Sequence, residues 1–172
     1  INGVYVFTIS NEGDMELANL NFACVCYGDK YPVEYVQKLY NMVQRNTTLD
    51  HKFIVFTDLV KIHKQVEGNI EFRKFPVDDL NGWWNKMQLF HPNSHLDGTT
   101  LYMDLDVVIT GNIDCFFTHN PEAIFSGMND FNPLSGVWNS SIMKFKSSFL
   151  HEKVWFKFME DRPNLLRKFP GD

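Results

Sequence analysis

Leu101-Tyr102-Met103-Asp104-Leu105-Asp106-Val107-Val108-Ile109 is the stretch from which the rest of this chain can be read. The run is apolar and rich in β-branched and aromatic residues, the composition of a buried strand. Two carboxylates interrupt it two residues apart. Side chains alternate along a strand, so Asp104 and Asp106 are expected on the same side. Two like charges at the tip of an apolar strand are costly unless a cation or hydrogen-bond donors compensate them. A divalent metal carrying a phosphorylated ligand meets that need. Such a metal neutralises a departing diphosphate, which points toward transfer from an activated nucleotide.

The frame around this strand is that of one domain. The chain has 172 residues, 44% hydrophobic and 15% aromatic, with 16 Phe, enough for a sizeable core. Roughly 100–200 residues per domain is usual. The formal net charge is −5 and no Lys/Arg stripe is present, which argues against a nucleic-acid partner gripped through phosphates. No apolar run approaches the roughly 18 residues of a spanning helix, so no transmembrane segment is expected. The start, Ile1-Asn2-Gly3-Val4-Tyr5-Val6, has no basic n-region and does not read as a signal peptide. Cys24, Cys26 and Cys115 are too few and too scattered for a disulfide framework, and they suit buried thiols in a reducing, cytoplasmic setting. The sequons at Asn46 and Asn139 are read as coincidental.

Strands and helices alternate along the chain. Residues 3–9 read as a strand and 11–14 as a turn, so 1–20 forms an N-terminal strand/turn extension. Phe22 to Cys26 is a continuous apolar run that suits a central strand. Pro32 opens a helix over 32–45, with Val33, Val36, Tyr40 and Val43 at helical spacing. Phe53 to Asp58 is a second buried strand, Ile70 to Phe75 a shorter one, and Trp83 to Phe90 a helix. After the acid-bearing strand come late strands at 123–125 and 141–145. A helix over 148–160 is expected to bury Phe149, Val154, Trp155 and Phe158. The pattern gives a single α/β domain over 1–172. Ligands in open α/β sheets bind beyond the carboxyl ends of the strands. That rule gathers Tyr27-Gly28, Asp58 and Asp104/Asp106 at one edge.

Asp104-Leu105-Asp106 after an apolar strand resembles the DxD motif of glycosyltransferases with the GT-A fold. The neighbours extend the resemblance: Tyr27-Gly28-Asp29-Lys30-Tyr31, Phe56-Thr57-Asp58, Trp84-Asn85-Lys86, Val107-Val108-Ile109-Thr110-Gly111-Asn112-Ile113, and Ser135-Gly136-Val137-Trp138-Asn139-Ser140-Ser141-Ile142-Met143. Together they cover roughly residues 22–172 and look most similar to galactosyltransferase-like and capsule-type enzymes of bacteria and phages, which make polysaccharides. The resemblance implies a mixed, mostly parallel central sheet flanked by helices, the nucleotide-diphospho-sugar transferase fold. It also implies a hexosyltransferase, with retention of anomeric configuration preferred, moving a sugar from a UDP- or GDP-sugar to a carbohydrate or other hydroxyl acceptor. Asp104 and Asp106 would hold Mn²⁺ or Mg²⁺, Asp106 more directly. Lys86 would offset diphosphate or sugar charge. Asp58 and the Tyr27-Gly28 backbone would contact base and ribose, and Asn139 and Ser140 the transferred sugar. Pro170-Gly171-Asp172 looks like the opening of a Gly-Asp-Gln segment whose acid, here Asp172, sits beside the donor sugar. The family's later metal-binding His has no counterpart after His151, so the acceptor side is expected to be incomplete.

Each assignment has a structural alternative. Asp104 and Asp106 could be a turn or helix-cap pair, Asp58 an N-cap, and Lys86 a solvated helix position. Trp83 and Trp84 are read as core or lid packing, while Asn139 and Ser140 could instead satisfy backbone groups near a strand start. His91 and His95 flank a loop, which disfavours a metal role. Two rival functions also fit: a haloacid-dehalogenase-like phosphatase with Asp104 as nucleophile, and a truncated, non-catalytic nucleotide-sugar-binding module.

Overall fold

The central strand Leu20–Cys26 is buried at all seven positions, because both of its faces are covered. Its side chains alternate between two cores: Phe22, Cys24 and Cys26 face one, Ala23 and Val25 the other. The computed structural model describes residues 7–10 (backbone only), 19–59, 62–130, 132, 134 and 136–169. In chain order the strands are β1 (Phe7–Ser10), β2 (Leu20–Cys26), β3 (Lys52–Thr57), β4 (Ile70–Arg73), β5 (Thr99–Met103), β6 (Ala123–Asn129) and β7 (Trp138–Phe145). They form one sheet in the order β1-β6-β7-β5-β2-β3-β4. The β5-β2-β3-β4 half is parallel throughout, while β7 runs antiparallel to both β5 and β6, and β1 antiparallel to β6. The mixed sheet flanked by helices is the expected architecture.

Helix α1 (Glu34–Asn46) crosses over between β2 and β3 and buries Val36, Leu39 and Val43, the i, i+3, i+7 stripe of an amphipathic helix. Tyr40 stays half-buried, edge-on to Phe53 at 5.3 Å, and its hydroxyl accepts the Asn69 N–H. A short helix, α2 (Cys115–Thr118), lies on the same face. On the opposite face pack the 3-10 helix Gly82–Phe90 and the C-terminal helices α3 (Ser147–Leu150) and α4 (Lys157–Lys168), joined by a π-helical turn over His151–Phe156. Trp84 stacks on Phe158 at 5.3 Å and donates its indole N–H to the Phe169 carbonyl, which ties the C-terminal helix to the 3-10 helix.

The structure departs from the sequence reading in several places. β5 ends at Met103, so Asp104 to Ile109 is not strand. Asp104 N–H still reaches the Ser141 carbonyl at 2.9 Å, and the Val107 N–H then closes a turn on the Asp104 carbonyl. The turn keeps the carboxylates out of the double-faced core. The apolar residues beyond them are used differently: Val107 and Ile109 cover the end of the α1-side core, while Val108 is 74% exposed. Residues 82–90 coil as a 3-10 rather than an α-helix and are buried on several sides. The final helix extends to Lys168, kinks at Asp161 ahead of Pro163, and exposes Phe149 at 48% while burying Leu150 instead. Cys24 and Cys26 are buried as expected but Cys115 is exposed. The extension at 1–20 is described only from Phe7 to Ser10 and from Asn19 onward. The turn at 11–14 lies outside the described residues.

Asp114 staples the loop before α2 to the C-terminus of α1. It accepts Thr47 Oγ1 at 2.5 Å, Thr48 Oγ1 at 2.6 Å, the Thr48 N–H, and Asn112 Nδ2. Partial burial pushes its carboxyl pKa up, but the hydrogen bonds from Thr47, Thr48 and Asn112 outweigh this and hold it well below the usual carboxylate range. A depressed carboxyl contributes stability above its unfolded pKa and loses it as pH falls through the folded one. Asp114→Ala should therefore lower the unfolding free energy at pH 7 by about 1–3 kcal/mol. Urea melts should show the gap between wild type and variant narrowing only below about pH 4, where the unfolded carboxyl begins to protonate.

Candidate donor site at the strand ends

Polar groups collect where β2, β3 and β5 end. Beyond β2, Gly28 sits at φ +55°, and a Cβ placed on it would meet no atom within 4 Å, so the turn itself, not crowding, favours glycine. Its N–H points at both carboxylate oxygens of Asp58, at 3.1 and 3.2 Å. The expected convergence of Tyr27-Gly28 with Asp58 is therefore a direct contact between two strand ends. Both border a cleft of about 620 Å³ that also involves Phe72, Phe75, Asn81 and Asn85. Burial, then the nearby Asp58 charge, raises the Cys26 thiol to about 11, so it stays protonated at neutral pH.

The two acids beyond β5 stand in different settings: neither lines this cleft, and Asp106 borders a separate hollow against α1 with Tyr35, Lys38 and Arg45. Leu105 between them is buried in the α1-side core and pins the turn. Asp104 is half-buried, with Lys86 Nζ at 2.8 and 2.9 Å from its two oxygens and the Tyr102 hydroxyl donating to one of them. Lys86 also reaches Ser140 Oγ at 3.2 Å. It is thus a paired cation, not a solvated one, and it joins the 3-10 helix to the ends of β5 and β7. Asp106 is exposed and accepts the Tyr31 hydroxyl at 2.8 Å, while its other oxygen accepts no hydrogen bond among the described residues. The hydrogen bond to Asp106, then burial, then the charges of Asp106 and Asp104 push the Tyr31 phenol up to about 12. Burial, followed by the Asp104 charge and hydrogen bond, raises the Tyr102 phenol well above its ordinary value.

Of the residues singled out from sequence, Tyr27, Gly28 and Asp58 meet at the cleft, and Asp104, Lys86 and Ser140 form one contact chain beside it. Asn139 instead accepts the Ser141 N–H at 2.8 Å, the backbone role raised as its alternative. Asp172 lies outside the described residues. His91 stands edge-on to Trp155 at 4.6 Å, and no group of three or more His, Cys, Asp or Glu side chains forms a metal cluster among the described residues. Tyr31 and Tyr102 were missed as partners of the acids. Tyr102 was findable, on β5 two residues before Asp104. Tyr31 arrives from a distant loop and left no local signal. The phosphatase alternative expects its motif after the first strand, whereas four described strands precede the one that ends at these acids.

The fold this geometry sits in is α/β and GT-A-like. No protein-family model matches the sequence, and no curated protein matches it. Among solved structures, the chain is similar to the glycosyltransferase GlyE of Streptococcus pneumoniae TIGR4, with TM-score 0.66 and 11% identity over 81% of this chain and 37% of that one. It is also similar to the galactosyltransferase LgtC, solved with donor and acceptor sugar analogues (TM-score 0.53, 13% identity, 82% of this chain and 63% of that one). A third is the 4-diphosphocytidyl-2C-methyl-D-erythritol synthase of Anaerococcus prevotii DSM 20548 (TM-score 0.51, 10% identity, 81% and 75%). The chain spans about a third of the length of GlyE. No helix among the described residues is long and apolar enough to cross a membrane.

The Tyr31–Asp106 contact makes a spectroscopic prediction. In Asp106→Asn the acceptor charge is gone, and the Tyr31 phenol should titrate nearer the ordinary value of about 10. Tyrosine ring-carbon NMR across a range of about pH 8 to 12.5, assigned with Tyr31→Phe, should show this one resonance moving to lower pH. An unchanged midpoint would mean that burial alone sets it.

Proposed function

We propose that this chain binds a nucleotide-diphosphate sugar and takes part in metal-dependent transfer of its sugar to a hydroxyl acceptor such as a glycan, with retention at the anomeric carbon. The observation that carries the reading is the meeting, at the carboxyl ends of parallel β2, β3 and β5, of a cleft bordered by Gly28–Asp58 with the Lys86–Asp104–Ser140 chain beside it. GT-A-like neighbours named as glycosyltransferases support it.

In this reading Asp58 and the Tyr27-Gly28 turn hold base and ribose. Mn²⁺ or Mg²⁺ fits the chemistry present: hard dications take one or two carboxylates plus substrate phosphate oxygens, and Asp106, on an exposed side chain, has one oxygen that accepts no hydrogen bond among the described residues. Asp104, already shared by Lys86 and Tyr102, is the more constrained donor, which favours Asp106 as the direct ligand. When bound, the metal would supply Lewis-acid stabilisation of the departing diphosphate. Lys86 sits within reach of the same charge, and its bond to Ser140 would align a hydroxyl with the transferred sugar. Asn139 and Asp172 are proposed to line the same sugar.

Thermal shift against UDP- and GDP-sugars, with and without Mn²⁺, tests this. A ligand at about 100-fold above its Kd adds about 2.7 kcal/mol of stability. A rise in Tm that needs both nucleotide-sugar and metal is expected. Asp106→Asn should abolish the metal-dependent part, and Asp58→Asn should weaken nucleotide binding by about tenfold. Release of free nucleotide with an added sugar acceptor distinguishes an enzyme from a donor-binding module. Shifts indifferent to metal and to both Asp104→Asn and Asp106→Asn would overturn the reading.

A further inference from the structure

A second cavity, of about 310 Å³, opens on the α1 and α2 face of the sheet and shares no residue with the cleft at the strand ends. Its apolar walls come from Phe116, Met128 and Ile142, and Cys115 lies at its rim. β7 alternates its side chains, with Met143 and Phe145 in the opposite core and Ile142 against the α1-side core. Lys144 therefore shares the Ile142 face. Ser126 of β6 stands directly across the antiparallel ladder from Lys144, so the two are side-by-side neighbours on a mostly apolar surface.

Both polar groups are incompletely satisfied. Ser126 is 8% exposed, and its buried Oγ has no hydrogen-bond partner among the described residues. Lys144 is 3% exposed. Its ammonium donates to the carbonyls of His119 at 2.5 Å and Asn120 at 2.9 Å, which uses two of its three donors. No carboxylate forms an ion pair with it among the described residues. Burial, then repulsion from Lys146, draws its pKa down to about 8 against a smaller upward pull from Glu122. Its direct hydrogen-bond partners are neutral, and the Glu122 charge nearby offsets only part of the cost of burying it. Holding the α2–β6 turn accounts for two of its hydrogen bonds but not for the positive charge, the hydroxyl without a partner among the described residues or the adjoining cavity.

We propose that this cavity is a second binding site, for a small carboxylate carried on an apolar body. The carboxylate takes the third Lys144 donor and the Ser126 hydroxyl, and the apolar part lies on Phe116, Met128 and Ile142. The volume is at the small end of ligand pockets, suited to a short acyl chain or one aromatic ring and too small for a nucleotide-sugar. The apolar walls disfavour a free phosphate or sugar phosphate, whose remaining oxygens would go unpaired. The second cavity stands independently of the donor-site reading.

Cys115 reports on occupancy, since Cys24 and Cys26 are buried. Iodoacetamide alkylation, followed by intact mass and peptide mapping, is run with octanoate and with its uncharged analogue octanamide. Octanoate should slow Cys115 alkylation saturably, and half-protection should require about tenfold more octanamide or greater, the usual worth of a charge-assisted hydrogen bond. Excess UDP should leave the protection unchanged. Lys144→Met should abolish the preference for the acid, Lys144→Arg should retain it, and Ser126→Ala should weaken octanoate severalfold. Absence of protection, equal protection by acid and amide, or full protection in a folded Lys144→Met protein would overturn the proposal. If Lys144→Met does not fold by circular dichroism, the acid–amide comparison on wild type and Ser126→Ala decides.

Discussion

The Lys86–Asp104 ion pair is the contact on which the arrangement of the strand ends depends. Asp104 follows a strand buried on both faces, and its carboxylate is itself largely shielded from water. Removing a partner from a fully buried pair costs about 3–5 kcal/mol; this pair, with side chains 19% and 20% exposed, sits below that range. It is reinforced by the Tyr102 hydroxyl and the Lys86–Ser140 contact. Through these bonds one lysine fixes the 3-10 helix Gly82–Phe90 against β5 and β7. Asn85, its neighbour in sequence, thereby borders the cleft beside Gly28 and Asp58. The cleft wall, the acids and the sheet edge are held in register by a charge pair, not by apolar packing alone.

The same pair gives the two acids unequal roles. Asp104 is engaged on both oxygens, whereas Asp106 has one oxygen on Tyr31 and one without a hydrogen-bond partner among the described residues. Leu105, buried between them, prevents the turn from rotating to equalise their settings. In the proposed metal-dependent reading, a cation would meet Asp106 as the accessible ligand and Asp104 as one whose geometry is already set. Electrostatic preorganisation of this kind lets a charged ligand bind without first reorganising the site.

How much of this was legible in the sequence follows from where each signal resides. The doubly buried strands were readable because Leu20–Cys26 and Lys52–Thr57 are almost uninterrupted apolar runs, too short for a core helix and bounded by turn residues. The gathering of Gly28 and Asp58 was readable because ligand sites in α/β sheets lie at the carboxyl ends of strands. The length of β5 was not. Val107 and Ile109 are apolar because they cap a core, and composition alone cannot distinguish that from a strand continuing. Phe149 failed for a related reason: the π-helical turn at His151–Phe156 shifts the phase of the final helix, which an α-helical period cannot anticipate. Tyr31 was invisible in its role because a contact 75 residues distant leaves no local pattern.

Lys86 and Lys144 show the same residue type answering two different environments. Lys86 is drawn against a carboxylate, so its charge and that of Asp104 compensate each other and the pair can serve as a fixed element of the site. Lys144 lies among apolar residues and donates to two carbonyl oxygens, whose dipoles stabilise an ammonium less than a paired carboxylate does. Glu122 acts on it without forming an ion pair among the described residues. Burial, then repulsion from Lys146, lowers the basicity of Lys144, and the opposing pull of Glu122 does not restore it. A sheet position that required only packing would be filled at lower cost by an aliphatic side chain, as Ile142 fills the neighbouring position on that face. Retaining a buried cation across from a hydroxyl with no partner among the described residues is physically reasonable where an anion completes the set, and the adjoining cavity provides the room for one.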